Sequence, residues 1–583
     1  MRIYHDSQSL LCRTPVGPVM CGQKVVLRLR ADETVRSAIL RIYDGSEKWL
    51  PMERQDSDWF VFTVQAPKIP ILCWYDFRLE DEDGDISVYG APHDGLGGEG
   101  ILDTTARAWQ ITVFDAAYQT PEWLRHGVMY QIFPDRFYAS GDPHPHRDEC
   151  FYHEKWDDMP ILMPEGRDDN CARDFFGGDL KGIQQKLPYL QSLGVTVLYL
   201  NPIFQARSNH RYDTADYSRV DPLLGDNEDF KRLCAAAKEM GIRIILDGVF
   251  SHTGEDSVYF NRFGRFDTVG ACQSTDSPYY PWYKFTHYPD HYRCWWGIHT
   301  LPELDKDNAS YQDFMFREDG IVRQWIARGS SGWRLDVADE LTMDFLRRLR
   351  TAAKTQDPDA VVLGEVWEDA SHKEAYGEMR CYCQGDTLDS VMNYPLRDAA
   401  IAFFLGHIDA HALKRLIMSQ QENYPAPFYY SLMNLAGSHD RPRAINVLCG
   451  RTWEEYPPTH RGRHHLTEKE YALGVSRYLK LMRLLCALPG IPCVYYGDER
   501  GLQGSSDPYC RGTFPWTGGD RQIEEEIRAL LWQRRHSQAL QTGSLTVEAP
   551  DGDTLLIARE IQGGKDVFGN EAENEKMVVE IKR

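Results

Sequence analysis

The sequence lacks the long apolar runs that mark a membrane protein. No window of its 583 residues approaches the roughly 18 uncharged apolar residues of a spanning helix, so no transmembrane segment is predicted. Residues 1–14 have no continuous apolar segment behind a basic start, so we do not predict a signal peptide.

The chain has fewer positively charged residues than negatively charged ones. The chain has 65 Lys and Arg residues against 87 Asp and Glu, and its formal net charge is −22 at pH 7. Binding to nucleic acid needs a basic surface that displaces counterions from phosphate, and an anionic membrane surface would also repel this chain. The composition therefore argues against both partners and is compatible with a neutral substrate.

Cysteine and histidine pairs with metal-ligand spacing are also lacking. The 14 cysteines are scattered, and Cys381 and Cys383 form C-x-C rather than C-x-x-C, so no zinc site is predicted. Cys234, Cys486 and Cys493 lie within apolar runs, where a buried free thiol is the usual state. We therefore expect a reducing, cytoplasmic compartment.

The first 120 residues have the pattern of an all-β domain. Apolar or alternating segments such as Lys24–Arg30, Ala38–Tyr43 and Trp59–Gln65 are separated by turn-forming clusters of Asp, Gly and Ser. This spacing predicts an N-terminal β-sandwich over residues 1–120.

From about residue 128 the pattern changes to short apolar runs that end in polar residues, with amphipathic stretches such as Tyr311–Arg328 between several of them. Eight such units in series predict a (β/α)8 TIM barrel over residues 121–540, and a doubly wound open sheet is the structural alternative. The runs are Val128–Pro134, Val195–Pro202, Ile242–Phe250, Gly332–Ala338, Val361–Trp367, Ser390–Pro395, Tyr429–Leu435 and Pro492–Tyr496.

One connection in this series is unusually long. The third and fourth runs are separated by a stretch rich in aromatic residues and histidine, which predicts an inserted subdomain over residues 253–305. In a barrel, this insert would lie beside the mouth of the active site. Residues 541–583 are predicted to form a short C-terminal β-rich segment.

Charged residues follow the predicted barrel strands at one end. The third run contains Asp247, the fourth contains Arg334 and Asp336, the fifth contains Glu365, and the seventh leads to His439. Because the active sites of such barrels form at the carboxyl ends of the strands, we expect these side chains to share one rim.

Two carboxyl groups on adjacent strands suit the hydrolysis of a glycoside. One must be ionised and the other must carry a proton for the leaving oxygen. Arg334 lies two residues before Asp336 on the same strand face, so we predict a lowered pKa for Asp336. Burial and a neighbouring charge should raise the pKa of Glu365. The alternative is a structural Arg–Asp ion pair with a Glu at the edge of the core.

Other polar and aromatic residues near these strand ends are candidates for contact with sugar hydroxyls or rings. His252, His439 and Asp440 could exchange hydrogen bonds with hydroxyl groups, and Tyr212 could stack on the reacting ring. Taken singly, each of these residues is more often an ordinary loop residue.

At these positions the chain resembles the alpha-amylase family of glycoside hydrolases, in its neopullulanase, cyclomaltodextrinase and maltogenic amylase branch. The likeness covers roughly residues 1–540 and includes the starch-associated sandwich of that branch. The segments that carry it are Tyr130–Phe137, Asp247–His252, Gly332–Glu340, Gly364–Trp367, Met392–Pro395, Gly437–Asp440 and Gly490–Glu499.

The resemblance implies a role for each matching residue. Asp336 would be the nucleophile, Glu365 the general acid and base, and Asp440 a third catalytic carboxylate that binds ring hydroxyls. The reaction would be a double displacement with retention, with the two carboxyl groups about 5–5.5 Å apart. The supporting substrate-binding positions are Tyr212, Asp247, His252, Arg334, Glu340 and His439.

The sequence departs from the family pattern at several places. Ser251 replaces an asparagine, and Asp339 replaces the asparagine that usually precedes Glu340. Asp142 and Asp179 are the candidate calcium ligands, but their loop also contains prolines and histidines where relatives have oxygen ligands. Calcium prefers six to eight oxygens, so we do not expect a full site, and no cofactor is required for the reaction. The segment after residue 540 is also shorter than the family's C-terminal β-domain.

The predicted function is the hydrolysis of α-1,4 and perhaps α-1,6 bonds in starch-derived oligosaccharides, cyclodextrins or pullulan, with glucosyl transfer as a side activity. Two alternatives stay open: a non-catalytic glucan-binding protein on the same fold, and a glucan transferase. The expected partner is an α-glucan, and the resemblance implies that the chain can form a homodimer through its sandwich.

Overall fold

We analysed a computed structural model, which describes residues 2–55, 58–162, 172–451, 462 and 465–583. Its elements form an N-terminal β-domain, a barrel with inserted loops and a small C-terminal sheet, so the predicted fold class is confirmed. Within the described residues, no helix is both long and apolar enough to cross a membrane.

The N-terminal domain consists of two packed sheets. Alternation in Lys24–Ala31 turns Val25, Leu27 and Leu29 inward, where they pack with residues of the second sheet such as Leu40. The strands of the first sheet are Ile3–Tyr4, Arg13–Thr14, Lys24–Ala31, Glu53–Gln55 and Trp59–Gln65. Those of the second are Val19–Met20, Val35–Tyr43, Glu47–Pro51, Ile71–Asp81, Ile86–Gly90, Ile101–Leu102 and Trp109–Phe114.

Eight parallel strands form the barrel. In chain order they are β1 (Met129–Ile132), β2 (Val197–Leu200), β3 (Arg243–Gly248), β4 (Gly332–Leu335), β5 (Val361–Gly364), β6 (Ser390–Val391), β7 (Met433–Leu435) and β8 (Ile491–Tyr495). Each strand pairs with the next in sequence, except that β6 and β7 meet only at a parallel bridge between Met392 and Met433. β1 also pairs with β8, so the sheet closes and the doubly wound alternative is wrong.

Helices surround the barrel, and several begin at side chains that cap them. Asp226 and Thr467 each cap a helix in a reciprocal capping box. The predicted amphipathic stretch Tyr311–Arg328 is two helices, because the chain leaves the helical conformation at Arg317 and re-enters after Gly320. The helices are Glu122–Arg125, Leu180–Gln185, Leu187–Leu193, Asn227–Glu239, Ala309–Phe316, Ile321–Ala327, Met343–Gln356, Tyr394–Leu405, Ala410–Asn423, Ala426–Tyr429, Ala444–Leu448, Glu468–Ala487, Arg521–His536 and Gln538–Thr542.

The long connection after β3 has its own aromatic core. Phe260, Tyr283 and Tyr292 pack edge to face within it, beside the small hairpin of Phe285–His287 and His291–Tyr292. A bridge between His252 and Glu303 ties both ends of the insert together at the barrel rim. The other short strand pairs are Phe151–Tyr152 with Asp174–Phe175, Phe204–Ala206 with Thr214–Val220, and Glu374–Ala375 with Glu378–Met379.

The chain ends in a three-stranded antiparallel sheet of Ser544–Asp551, Thr554–Ile561 and Glu575–Lys582. Leu555 and Ile557 on its central strand are fully buried in the same hydrophobic core as the barrel helices. The sheet is therefore packed onto the barrel, and the segment that was predicted to be β-rich is a three-stranded sheet.

Candidate active site

Neighbouring strands β3, β4 and β5 deliver the charged residues of the site in register. Asp247 lies opposite Arg334 in the pairing of β3 with β4, and Arg334 lies opposite Leu363 in the pairing of β4 with β5. Asp336 and Glu365 follow the carboxyl ends of β4 and β5. The parallel register therefore brings these side chains to one rim, as predicted.

One guanidinium group joins the three carboxyl groups. Arg334 Nη1 lies 2.8 Å from Asp247 Oδ1 and 3.0 Å from Asp336 Oδ1, and Nη2 lies 2.9 Å from Glu365 Oε2. Arg334 is fully buried, while 11% of the Asp336 side chain and 5% of the Glu365 side chain remain accessible. Because both carboxyl groups reach the same guanidinium and keep an accessible face, they converge on one cleft.

The backbone after the nucleophile candidate also holds the acid candidate. Val337 has φ 41° and ψ 58°, a left-handed conformation that is rare for a β-branched residue and tends to occur at functional sites. In this conformation its N–H donates a hydrogen bond of 2.8 Å to Glu365 Oε2. The strained turn thus fixes the position of Glu365 relative to Asp336.

Asp247 lies beneath the cleft and accepts hydrogen bonds there. The hydroxyls of Tyr199 and Tyr212 both donate to Asp247 Oδ2, at 2.6 and 2.9 Å. The amide of Asn201 donates to the Tyr212 hydroxyl at 3.0 Å. These bonds hold the Tyr212 ring at the edge of the cleft, where the sequence prediction placed it.

His439 and Asp440 are tied to the opposite side of this network. The Gln131 amide donates to His439 Nδ1 at 2.9 Å, which assigns the ring proton to Nε2. His439 Nε2 lies 2.5 Å from the Tyr212 hydroxyl and 3.0 Å from Asp440 Oδ2. Arg511 Nη2 lies 3.3 Å from Asp440 Oδ1, so Asp440 is held from two sides.

His252 forms the wall next to the inserted subdomain. Its Nε2 lies 3.2 Å from the carbonyl oxygen of Tyr212, and its Nδ1 lies 2.8 Å from Ser251 Oγ. Ser251 therefore contacts the histidine directly. The ring of Trp295 lies 5.6 Å from that of His252 and joins the insert to this wall.

The site opens into a cleft of about 870 Å³. The predicted residues that line it are Tyr212, His252, Asp336, Glu340, Glu365 and Asp440. Asp247, Arg334 and His439 are not on its surface but are buried behind it, at 0 to 1% exposure. The structure therefore assembles all the predicted residues, with six in the cleft wall and three supporting them.

Burial dominates the protonation of the two central carboxyl groups. It raises the pKa of Glu365, as predicted, although Arg334 opposes the shift. The predicted lowering of the Asp336 pKa is wrong: burial raises it well above its usual range, and the charge of Glu365 adds to that effect while Arg334 only partly offsets it. A single guanidinium does not neutralise three buried carboxyl groups, so this set favours keeping a proton on one of them.

The two histidines of the site are neutral at pH 7. Burial lowers the pKa of His252 to about 3. Burial, followed by the charge of Arg511, lowers the pKa of His439 well below its ordinary value. Both rings are thus neutral hydrogen-bonding groups rather than cations beside a substrate.

The residues after β4 contact the loop that follows β5. Asp339 accepts a hydrogen bond of 2.5 Å from the Tyr382 hydroxyl, and Lys373 Nζ lies 3.5 Å from its other oxygen. Glu340 Oε1 accepts from Trp296 Nε1 at 2.9 Å and from the Tyr376 hydroxyl at 2.8 Å. The negative charge of Asp339 is therefore paired with the positive charge of Lys373, which also lines the cleft.

Asp142 and Asp179, the candidate calcium ligands, are occupied by protein donors. Asp179 Oδ2 accepts from Ser140 Oγ at 2.5 Å and lies 3.0 Å from His144 Nε2, whose pKa is raised by this bond. Asp142 Oδ2 lies 2.5 Å from Lys181 Nζ. These carboxylates face a lysine and a histidine rather than the six to eight oxygen ligands that calcium prefers. In the described part of the chain, no group of three or more His, Cys, Asp or Glu side chains could hold a metal ion.

Sequence reasoning missed several residues of this site. Tyr199 and Gln131 lie on β2 and β1, inside runs that were recognised only as barrel strands. Strand-end alternation could have assigned Tyr199 to the rim, since it lies two residues before Asn201. Arg511 and Tyr376 lie on connections after the strands, and no spacing pattern pointed to them. Trp296 lies in the aromatic-rich insert that was expected beside the mouth of the site, but its contact with Glu340 was not predicted.

Comparison with known proteins agrees with this geometry. A family profile described as the alpha-amylase catalytic domain matches residues 131–542. The amylopullulanase of Thermoanaerobacterium saccharolyticum is 36% identical over 99% of this chain and 48% of its own length. The cyclomaltodextrinase of Geobacillus thermopakistaniensis is 34% identical over 77% of this chain and 69% of its own length. The chain spans less than half the length of the amylopullulanases that it matches.

Two solved structures that this chain resembles are also named as carbohydrate hydrolases. The cyclic alpha-maltosyl-(1→6)-maltose hydrolase of Arthrobacter globiformis has a TM-score of 0.64 at 34% identity, and the match covers 76% of this chain and 89% of that one. The type III pullulan hydrolase of Thermococcus kodakarensis has a TM-score of 0.66 at 25% identity over the whole of both chains. The profile match and these relatives together show that the chain belongs to the alpha-amylase family of glycoside hydrolases.

Proposed function

We propose that this protein is a retaining α-glucoside hydrolase that acts on starch-derived oligosaccharides, cyclodextrins or pullulan. The observation that carries the proposal is the convergence of Asp336 and Glu365 on Arg334 at the floor of one open cleft. Two carboxyl groups that face one cleft and are buried enough to hold one proton between them are what glycoside hydrolysis requires.

The reaction follows from the positions of these groups. Glu365 donates its proton to the leaving oxygen while Asp336 attacks the anomeric carbon, which forms a covalent glycosyl–enzyme ester. Glu365, now ionised, removes a proton from water, and that water cleaves the ester with a second inversion. Asp440, held between His439 and Arg511, is placed to accept hydrogen bonds from ring hydroxyls. Attack by a sugar hydroxyl instead of water would give transfer.

The release of reducing ends from maltodextrin tests the proposal. We expect the purified chain to be active and Asp336→Asn to lose turnover by several orders of magnitude while its melting temperature and its binding of maltodextrin persist. Asp409→Ala, which removes the N-cap of the helix Ala410–Asn423 away from both cavities, is a control variant that should keep most of its activity. Near-normal turnover in Asp336→Asn would refute the assignment of the nucleophile.

The same assay separates the alternatives. A non-catalytic glucan-binding protein would bind maltodextrin without releasing reducing ends. A transferase would give products longer than the donor at high substrate concentration. The presence of Asp336, Glu365 and Asp440 together favours an enzyme over a glucan-binding protein, since binding alone needs no such set.

The preferred bond is a separate proposal. Relatives of this chain are named amylopullulanase, cyclomaltodextrinase and neopullulanase, so we expect cleavage of α-1,4 bonds with some action on α-1,6 bonds. Analysis of the products from cyclodextrin, pullulan and maltotriose would rank these substrates.

We further infer that no metal ion is needed. Lys181 and His144 supply positive charge beside Asp142 and Asp179, where relatives would use calcium. Chelation with EDTA should therefore leave both the melting temperature and the activity unchanged, and a loss of either that calcium restores would contradict the inference.

Compartment and assembly are also proposals. Buried, unpaired thiols such as Cys73, Cys486 and Cys493 favour a reducing, cytoplasmic environment. The resemblance to dimeric relatives leads us to expect a homodimer, which light scattering of the purified chain would test.

A further inference from the structure

A second cavity lies next to the catalytic cleft and shares a wall with it. Its volume is about 360 Å³, within the range of pockets that bind small ligands. Trp295, Trp296, Glu340 and Tyr376 line both spaces. We call this second space the side cavity, and we call the contact of Trp296 and Tyr376 with Glu340 the bridge.

The bridge is built from three separate parts of the chain. Trp296 comes from the insert after β3, Glu340 from the turn after β4, and Tyr376 from the tip of the hairpin Glu374–Met379 after β5. The Tyr376 hydroxyl and Trp296 Nε1 both donate to Glu340 Oε1. A bonded carboxylate therefore joins the two aromatic side chains at the mouth of the cleft.

The backbone of the hairpin is shaped to present this tyrosine. Tyr376 and Gly377 form its two-residue turn with φ values of 54° and 76°, a conformation for which Asn-Gly is the usual choice. Arg380 at the base of the hairpin donates to the carbonyl oxygens of Asp339 and Leu341, at 2.9 and 3.2 Å. The hairpin is thus anchored to the turn after β4, with its aromatic tip turned to Glu340.

Both aromatic side chains of the bridge keep a large free surface. Trp296 is 80% exposed and Tyr376 is 69% exposed. Large aromatic faces that are fixed by hydrogen bonds yet open to solvent mark a binding surface rather than a core. Since the apolar C–H faces of sugars pack on such rings, a sugar chain is the ligand that this wall favours.

The charges of the side cavity also point to a neutral, hydroxyl-rich ligand. Lys284 lies 3.3 Å from Asp305, and Glu303 lies 3.2 Å from Arg293 and 2.7 Å from Lys306. Because these cations and anions pair with one another, the cavity has little net charge to attract an ion. The same side chains provide many hydrogen-bond donors and acceptors for hydroxyl groups.

We propose that the side cavity binds a second arm of an α-glucan, so that a branched chain straddles the bridge while one arm occupies the catalytic cleft. The proposal rests on the function proposed above, because it takes the ligand of the cleft to be an α-glucan. It makes the Trp296–Glu340–Tyr376 bridge the point at which the enzyme distinguishes branched from linear chains.

The test measures binding, so that it does not depend on turnover. In an Asp336→Asn background, calorimetry would compare a branched maltooligosaccharide with a linear one that has the same number of glucose units. We expect Lys284→Ala combined with Arg293→Ala to weaken binding of the branched sugar by about fivefold, the effect of one or two lost hydrogen bonds. Binding of the linear sugar should stay within about twofold, because that sugar uses the cleft alone.

A matched control separates this effect from a general loss of surface charge. Arg347 forms an equally exposed ion pair with Asp386 away from both cavities, so Arg347→Ala should change neither sugar's binding. An equal change for both sugars, or none for the branched one, would overturn the side-cavity proposal. Failure of the unmodified chain to release reducing ends from linear maltodextrin would instead count against the proposed hydrolysis.

Discussion

Replacing Arg334 with methionine would move the pH dependence of catalysis. The substitution keeps an unbranched, largely apolar stem but removes the guanidinium group that lies within 3.0 Å of Asp247, Asp336 and Glu365. A cation at that distance lowers a carboxyl pKa by about 1–3 units, so its loss should raise the pKa values of Asp336 and Glu365 by a similar amount.

The direction of the shift follows from the role of each group. Turnover needs Asp336 ionised, so a higher pKa moves the acid limb of the kcat/KM profile upward. It also needs Glu365 protonated, so the alkaline limb moves upward as well. The whole profile should shift to higher pH by about 1–3 units, and at a fixed pH on the acid limb the rate should fall about tenfold for each unit.

Stability must be measured beside activity, because removing one partner of a buried ion pair costs about 3–5 kcal/mol. Arg13→Met is the matched control: Arg13 is as buried as Arg334 and pairs with buried Glu422 at 3.3 Å, between the sandwich and the helix Ala410–Asn423. It should lower the melting temperature without moving the pH profile. An Arg334→Met enzyme whose limbs stay at the wild-type pH would refute the electrostatic role.

Three further substitutions should have measurable effects on catalysis or on the free energy of unfolding. Tyr212→Phe removes the hydroxyl that links Asp247 to His439 and should lower kcat about three- to tenfold in steady-state assays. Arg511→Ala frees one side of Asp440 and should lower kcat/KM by about 10- to 100-fold, whereas an unchanged value would show that Arg511 does not position that carboxylate. Burial raises the pKa of Glu499 from 4.5 to about 7, so the folded state holds a proton that the unfolded state releases, and the free energy of unfolding should fall as pH rises between these values. Glu499→Gln should reduce that dependence in denaturant titrations and leave the part that arises from other buried carboxyl groups such as Asp498.

Much of the barrel could be predicted because its signals are local. Most of the strands lie within short runs dominated by apolar residues, and those runs are visible in the sequence without knowledge of their partners. Asp247, Arg334, Asp336 and Glu365 could be placed on one rim because parallel strands of a barrel end at the same face. The amphipathic stretch that proved to be two helices shows the limit of that reasoning, since apolar periodicity alone did not reveal the interruption before Gly320.

The contacts of the bridge and the side cavity could not be predicted from the sequence. Glu340 was expected at the site and Trp296 in the insert beside it, but their meeting with Tyr376 depends on how separate connections pack. Arg511 reaches Asp440 across 71 residues of chain. Such contacts form only when separate loops fold over the same end of the barrel, so no local sequence pattern predicts them.

By itself, the sequence determined which residues end the barrel strands and therefore which chemical groups share the rim, because strand pattern is set locally and the parallel strands of a barrel end at one face. Only the tertiary structure decided how those groups are charged. Arg334 lies two residues before Asp336 in sequence and suggested a lowered pKa for that carboxyl group, yet burial raises the pKa. Burial depends on all the segments that cover a residue, and this collective property becomes defined only when the chain has folded.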